Sequence, residues 1–222
     1  LWYLATAIRD NLAPQTRSGV LCAYLRVLRT KLCYNRSQIG SDLKFMKYLL
    51  LLRGINVGGK NKVVMSELRA QIEALGYEAV TTYINSGNAF FETEEPLERI
   101  KAKIGDMLAT YPFAIYHVVL SRDAYLADAA QVPDWWQEPL ARRDVLFYTD
   151  QVDYEHMKAR IQAMPLHDEV VHFGDRAVFW GKYTESEYLK TSYHKYLLKE
   201  DFYPQITIRN GKTFDKLRDL LG

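Results

Sequence analysis

A chain of 222 residues, 48% hydrophobic and 25% charged, has the make-up of an ordinary globular protein with room for one good core or two small ones. It holds no apolar run near the roughly 20 residues that cross a bilayer, which argues against a membrane partner. Its formal net charge of +2 divides unevenly: residues 1–45 carry seven basic side chains against two acidic ones, a net +5, and the remainder carries −3. A mildly acidic body grips a phosphate backbone poorly, which disfavours nucleic acid as the main partner.

Residues 1–45 read as foreign to the rest of the chain. They hold both cysteines, Cys22 and Cys33, and no methionine precedes Met46. Leu21, Tyr24, Leu25 and Leu28 share one helical face while Arg26 and Arg29 lie on another, the pattern of a basic amphipathic segment. The stretch is expected to be an N-terminal extension outside the native fold, with the true start at Met46. A helix touching a membrane or a partner is the rival reading. Two cysteines with no other ligands nearby support neither a disulfide framework nor a metal site. With no cysteine in the body, the cytoplasm is the expected compartment.

From Met46 onward a pattern of periods runs through twice. Residues 47–53 predict a strand, and 66–75 an amphipathic helix with Leu68, Ile72 and Leu75 inward, stopped by Gly76. Strands over 79–85 and 88–92 are joined by the turn signal Ser86-Gly87. Pro96 opens a helix whose inward face is Leu97, Ile100, Ile104 and Leu108, and 114–120 predicts another strand. The connection over 121–143 begins as a helix with Tyr125, Leu126, Ala129 and Ala130 and ends in Pro133-Asp134-Trp135-Trp136 and Pro139. Adjacent tryptophans can stack on a base or sugar, but here they are expected to fill a seam between two halves.

The second run has a strand at 144–148, a helix at 154–163, and a hairpin of 169–173 with 176–180 across Gly174-Asp175. A helical region at 185–198, a strand at 205–209 and a helix at 213–221 complete it. The order β-α-β-β-α-β thus occurs twice. It predicts an α+β fold of two ferredoxin-like subdomains, with antiparallel sheets and helices on one face. The boundaries are 46–122 for the first, 123–143 for a linker and 144–222 for the second. Units of this size are marginal alone and are expected to lean on one another.

The stretch that most suggests a site comes directly after the first strand. Gly54-Ile-Asn-Val-Gly-Gly59-Lys60 matches the phosphate-loop spacing G-x-x-x-x-G-K, but Asn61 stands where Ser or Thr would hold magnesium. The next helix is also predicted to begin several residues too late to aim its amides at a phosphate. The loop is therefore read as glycine-rich and closing over a polar ligand without magnesium-nucleotide chemistry, with a purely structural connection as the rival. Three polar clusters at element ends become the candidate site. They are Arg53, Gly54, Asn56, Gly58, Gly59 and Lys60; then Asn85, Ser86 and Asn88; then Arg209, Asn210 and Thr213, with Lys195 a further cation that reaches the last group. Arg53 and Arg209 each end an apolar strand, where a guanidinium needs a partner such as a bidentate anion or a carboxylate. Asn210 and Thr213 also have the ordinary role of capping the last helix.

These motifs carry a resemblance. Arg53-Gly54-Ile55-Asn56-Val57-Gly58-Gly59 with Asn61, Ile84-Asn85-Ser86-Gly87-Asn88, and Thr207-Ile208-Arg209-Asn210 with Thr213 occur in order. On them, Met46 to Gly222 resembles the bacterial family catalogued as domain of unknown function 1697. The resemblance implies two similar ferredoxin-like subdomains and no established activity. Members often carry Trp after the Arg-Asn pair, where this chain has Gly211.

The leading expectation is a cytoplasmic protein that binds a small anionic ligand, phosphate-bearing or nucleotide-like, in a cleft between the three clusters. No catalytic residue, cofactor or metal ligand is nominated, and both turnover and oligomeric state stay open. The alternatives are a nucleic-acid-binding module using Tyr83, Phe90, Phe91, Phe147 and Trp180 on the sheets, or a non-catalytic scaffold or dimer module.

Overall fold

The computed structural model describes residues 45–185 and 190–222, so all but the last residue of the expected extension lies outside the described residues. The first half contains β1 (Met46–Leu52), α1 (Met65–Ala74), β2 (Glu78–Tyr83), β3 (Asn88–Thr93), α2 (Leu97–Leu108) and β4 (His117–Ser121). A connecting helix α3 (Arg122–Ala130) and a 3-10 turn (Asp134–Gln137) lead to β5 (Arg142–Tyr148). Then come α4 (Tyr154–Gln162), β6 (Glu169–Phe173), β7 (Ala177–Lys182), a short α5 (Ser192–Lys195), β8 (Ile206–Asn210) and α6 (Gly211–Leu221). The sheets have orders β2-β3-β1-β4 and β6-β7-β5-β8, antiparallel throughout. Both halves thus have the ferredoxin-like arrangement.

The run Leu49–Leu52 lacks polar alternation because β1 is buried on both faces. Leu50 and Leu52 join Phe91, Leu68 and Ile72 of α1, and Ile100 and Ile104 of α2 in one core. The second sheet packs Leu146, Val178 and Trp180 against Met157 and Ile161 of α4 and Tyr193 of α5 in another. Each half therefore carries its two repeat helices on one face. The opposite faces are not bare. Leu49, Leu51 and Phe90 from the first sheet meet Val145, Phe147 and Phe179 from the second, with Tyr125 of α3 and Phe214 and Leu217 of α6 in the same cluster. Trp136 is fully buried there, edge-on to Phe179 and Phe214, so the tryptophan pair does fill the seam.

Local chemistry accounts for several helix starts. Ser121 caps α3 and Asp153 caps α4, each side chain accepting the N–H three residues on. The helical region expected at 185–198 is, in its described part, one α-turn followed by a 3-10 turn at Leu197–Lys199. There the Glu169 carboxylate takes the N–H groups of Ser192 and Tyr193, anchoring the turn to the sheet. Among the described residues, no helix is long and apolar enough to cross a membrane.

Candidate functional site

Strand alternation decides where the two strand-ending arginines go. Leu49 and Leu51 face the shared layer and Leu50 and Leu52 the helical one, so Arg53 turns back toward the other half. On β8, Thr207 and Arg209 lie opposite Phe147 and Val145, which face the same shared layer from the other sheet. The segments that open and close the body are thereby brought together.

Arg209 forms the hub. It is 5% exposed, and each of its three nitrogens donates within the protein. Nε reaches Asn88 Oδ1 at 2.5 Å; Nη1 reaches Thr207 Oγ1 and the Ile208 carbonyl, both at 2.9 Å. Nη2 donates to the carbonyls of Leu52, Ser86 and Gly87 at 2.9, 3.1 and 3.2 Å. Every one of these acceptors is neutral. Burial pushes the guanidinium down to about 10, which still leaves it charged at neutral pH. Asn88 is equally committed, its amide nitrogen donating to the Tyr83 carbonyl and to Ser86 Oγ. The three clusters therefore meet around a filled polar hub rather than a hollow. The ligand contact expected of Arg209 and Asn88 is taken up by protein groups, and both act as the frame beneath the rim.

The opening loop is built on that frame. The Asn56 side chain accepts from the Val63 N–H and donates to the carbonyls of Val63 and Asn85, all at 2.9 Å. It thus closes the loop and ties it to the β2–β3 turn. Asn61 donates to the Gly54 carbonyl, and the Lys60 N–H donates to the Val57 carbonyl. Between them Gly58 and Gly59 sit at φ +57° and +75°, the pair of left-handed conformations that a tight two-residue turn demands. Lys60 lies exposed at this tip, well before α1 begins at Met65, so no helix N-terminus faces the loop as a phosphate loop requires. Gly87, at φ +78°, lies under the loop; a Cβ there would come within 2.7 Å of Leu52 Cβ and 2.8 Å of Ile55 Cδ1.

Arg53 differs from Arg209. Its backbone N–H donates to the Tyr116 carbonyl, and its half-buried guanidinium lies over the Tyr203 ring, 4.6 Å from the centroid. Among the described residues no carboxylate or other acceptor takes up its N–H groups. Tyr203 has no counterpart among the residues expected from the sequence. It lies in a 3-10 turn just before β8, and its only cue in the sequence is the proline beside it, Pro204.

Three other expected site residues lie apart. Asn210 caps α6 by accepting from the Thr213 N–H at 2.8 Å, so both serve the ordinary helix-end role. Asn210 stands at the far end of β8 from Tyr203, four residues and roughly 13 Å of extended strand beyond Ile206, and Thr213 lies further on in α6. Lys195 belongs to α5, which packs on the face of the second sheet carrying Ile206, whereas Thr207 and Arg209 point to the opposite face. It does not reach the group. Gly211 lies against Trp136 and Arg143, where a Cβ would approach Arg143 Cβ to 3.0 Å. Of the rings considered for base stacking, Phe90, Phe91, Phe147 and Trp180 are all buried and Tyr83 packs against the shared core. The four buried rings offer no stacking face, and Tyr83 is partly buried.

These features define a two-lobed α+β protein with a polar hub at the junction of its halves. The chain belongs to the family described as "Protein of unknown function (DUF1697)", whose model matches residues 46–179. Among solved structures it is similar to the conserved bacterial protein SP0830 from Streptococcus pneumoniae. The two share 48% sequence identity with a TM-score of 0.77, over 81% of this chain and 100% of that one. A comparison with curated proteins finds no match.

Proposed function

We propose that this protein binds a small anionic, phosphate-bearing ligand in the cytoplasm, on the rim formed by the 53–60 loop and the 84–86 turn. Arg53 and Lys60 supply the charge. The exposed amides of Gly58 and Gly59, which nothing among the described residues engages, and the Asn85 side chain supply directed hydrogen bonds. Arg209, Asn88 and Asn56 hold that surface in shape. The observation that carries this reading is the Arg53 guanidinium, held in place on Tyr203 with its donors unspent. A half-buried guanidinium with no carboxylate beside it is open to an oxyanion that accepts two of its N–H groups. The buried charge of Arg209 just beneath adds to the positive potential. No side chain at the rim is placed as a general base, so the reading is one of binding.

Thermal-shift measurements with inorganic phosphate and pyrophosphate test it. Both should raise the melting temperature of the full chain in a concentration-dependent way, as ligands of the native state do. Arg53→Ala should abolish the shift and Lys60→Ala weaken it. Absence of any shift in the wild type, or a full shift in Arg53→Ala, would sink the proposal.

A further inference from the structure

The rim carries two hydrophobic side chains with much of their surface in water. Val57, beside the glycine turn, is 67% exposed, and Ile84, which opens the β2–β3 turn, is 47% exposed. Each is the immediate neighbour of a residue in the bond from Asn56 Nδ2 to the Asn85 carbonyl, so they belong to one surface. Ile84 is the more telling. Its φ of +49° is a left-handed conformation that a β-branched residue adopts only under strain. A glycine or an asparagine would hold the same turn without that strain and without placing an apolar group in water. Strained residues gather where a ligand is held, and here the strain and the exposure coincide. Tyr116, whose carbonyl takes the Arg53 N–H, is 42% exposed.

One loop and the segments hydrogen-bonded to it therefore carry both charged and apolar groups: a guanidinium with unspent donors, two free glycine amides, and aliphatic and aromatic surface held in water. Such a surface matches a molecule with the same two parts. We infer that the ligand is a phosphate monoester of a flat, apolar group, an aryl or nucleoside phosphate. Its phosphate is taken by Arg53 and its ring lies against Ile84 and Val57. This rests on the anion reading of Arg53, to which it adds the organic half of the ligand. A sugar phosphate offers hydroxyls where the rim offers hydrocarbon, and is disfavoured accordingly.

Calorimetric titration of the full chain with inorganic phosphate, ribose 5-phosphate, phenyl phosphate and adenosine monophosphate decides it. Phenyl phosphate and the nucleotide should bind at least tenfold more tightly than the first two. Ile84→Asn should cut that ratio below threefold while leaving the melting temperature of the free protein the same or higher, because the strained turn is relieved. Val57→Ser, a change at an exposed position, should reduce the ratio in the same direction. Equal affinity for all four probes, or a ratio retained in both variants, would overturn the inference and leave the anion reading standing. Binding of none of the four would overturn both.

Discussion

Arg209 brings a positive charge into the interior with neutral oxygens for company. Replacing it with methionine would leave the Ser86 carbonyl and Asn88 Oδ1 without their donor. It would also take from the Leu52 and Gly87 carbonyls one donor each, beside the Thr207 hydroxyl and the Leu52 N–H that they keep. Lysine, with three donors on one atom, does not reproduce the fork. Either change should lower unfolding free energy by about 2–3 kcal/mol in urea titrations, since two buried acceptors lose their donor and the other acceptors lose one of theirs. Gly87→Ala should also destabilise, by about 1–3 kcal/mol, through overpacking against Leu52 and Ile55 and through a left-handed backbone. A third residue-level expectation concerns acid. Lys182, itself buried, and Thr184 hold the Asp168 carboxyl down at about 2. A carboxylate depressed in the folded state adds stability above its ordinary pKa near 4, lost as pH falls toward 2. Asp168→Asn should therefore flatten the acid-unfolding profile in that window and, by leaving Lys182 unpaired, cost about 1–3 kcal/mol at neutral pH.

At the scale of elements, α6 is the piece whose end depends most plainly on one side chain. Asn210→Ala removes the bond to the Thr213 N–H and should reduce stability by about 1 kcal/mol, read from the urea midpoint. The element order was legible because each strand and helix has its own period. β6 matches its expected span residue for residue, whereas residues 192–199, the end of the helical region expected up to Leu198, form single turns. The reason is tertiary: the Glu169 carboxylate, distant in sequence, takes the amides where that turn starts. Of the candidate site, the three motifs were legible as polar clusters at element ends, and strand parity alone would have placed Arg53 and Arg209 on facing sheets. What side-chain chemistry could not reveal was which arginine would be consumed. That depends on the Leu52, Ser86 and Gly87 carbonyls, which every residue type possesses and no sequence advertises. Tyr203 stayed hidden for a similar reason, since its role comes from where the second half sets its 3-10 turn.

At the scale of the molecule, the shared apolar layer makes each half a poor domain by itself. Cutting after β4 would uncover Leu49, Leu51, Phe90, Val118 and Leu120 together. Residues 46–222 should accordingly unfold in one transition, with tryptophan fluorescence and far-ultraviolet circular dichroism tracing the same curve. Trp136→Ala should shift that curve by about 3–5 kcal/mol without splitting it. The hub has a temporal counterpart. A ribosome lays down the 53–60 loop and the 84–87 turn more than 100 residues before Arg209, the longest of its bonds spanning 157 positions. Throughout that interval the nascent rim has no anchor beneath it. Chains stalled before residue 206 should stay sensitive to protease at the glycine turn, and protection should arrive only as the closing strand docks.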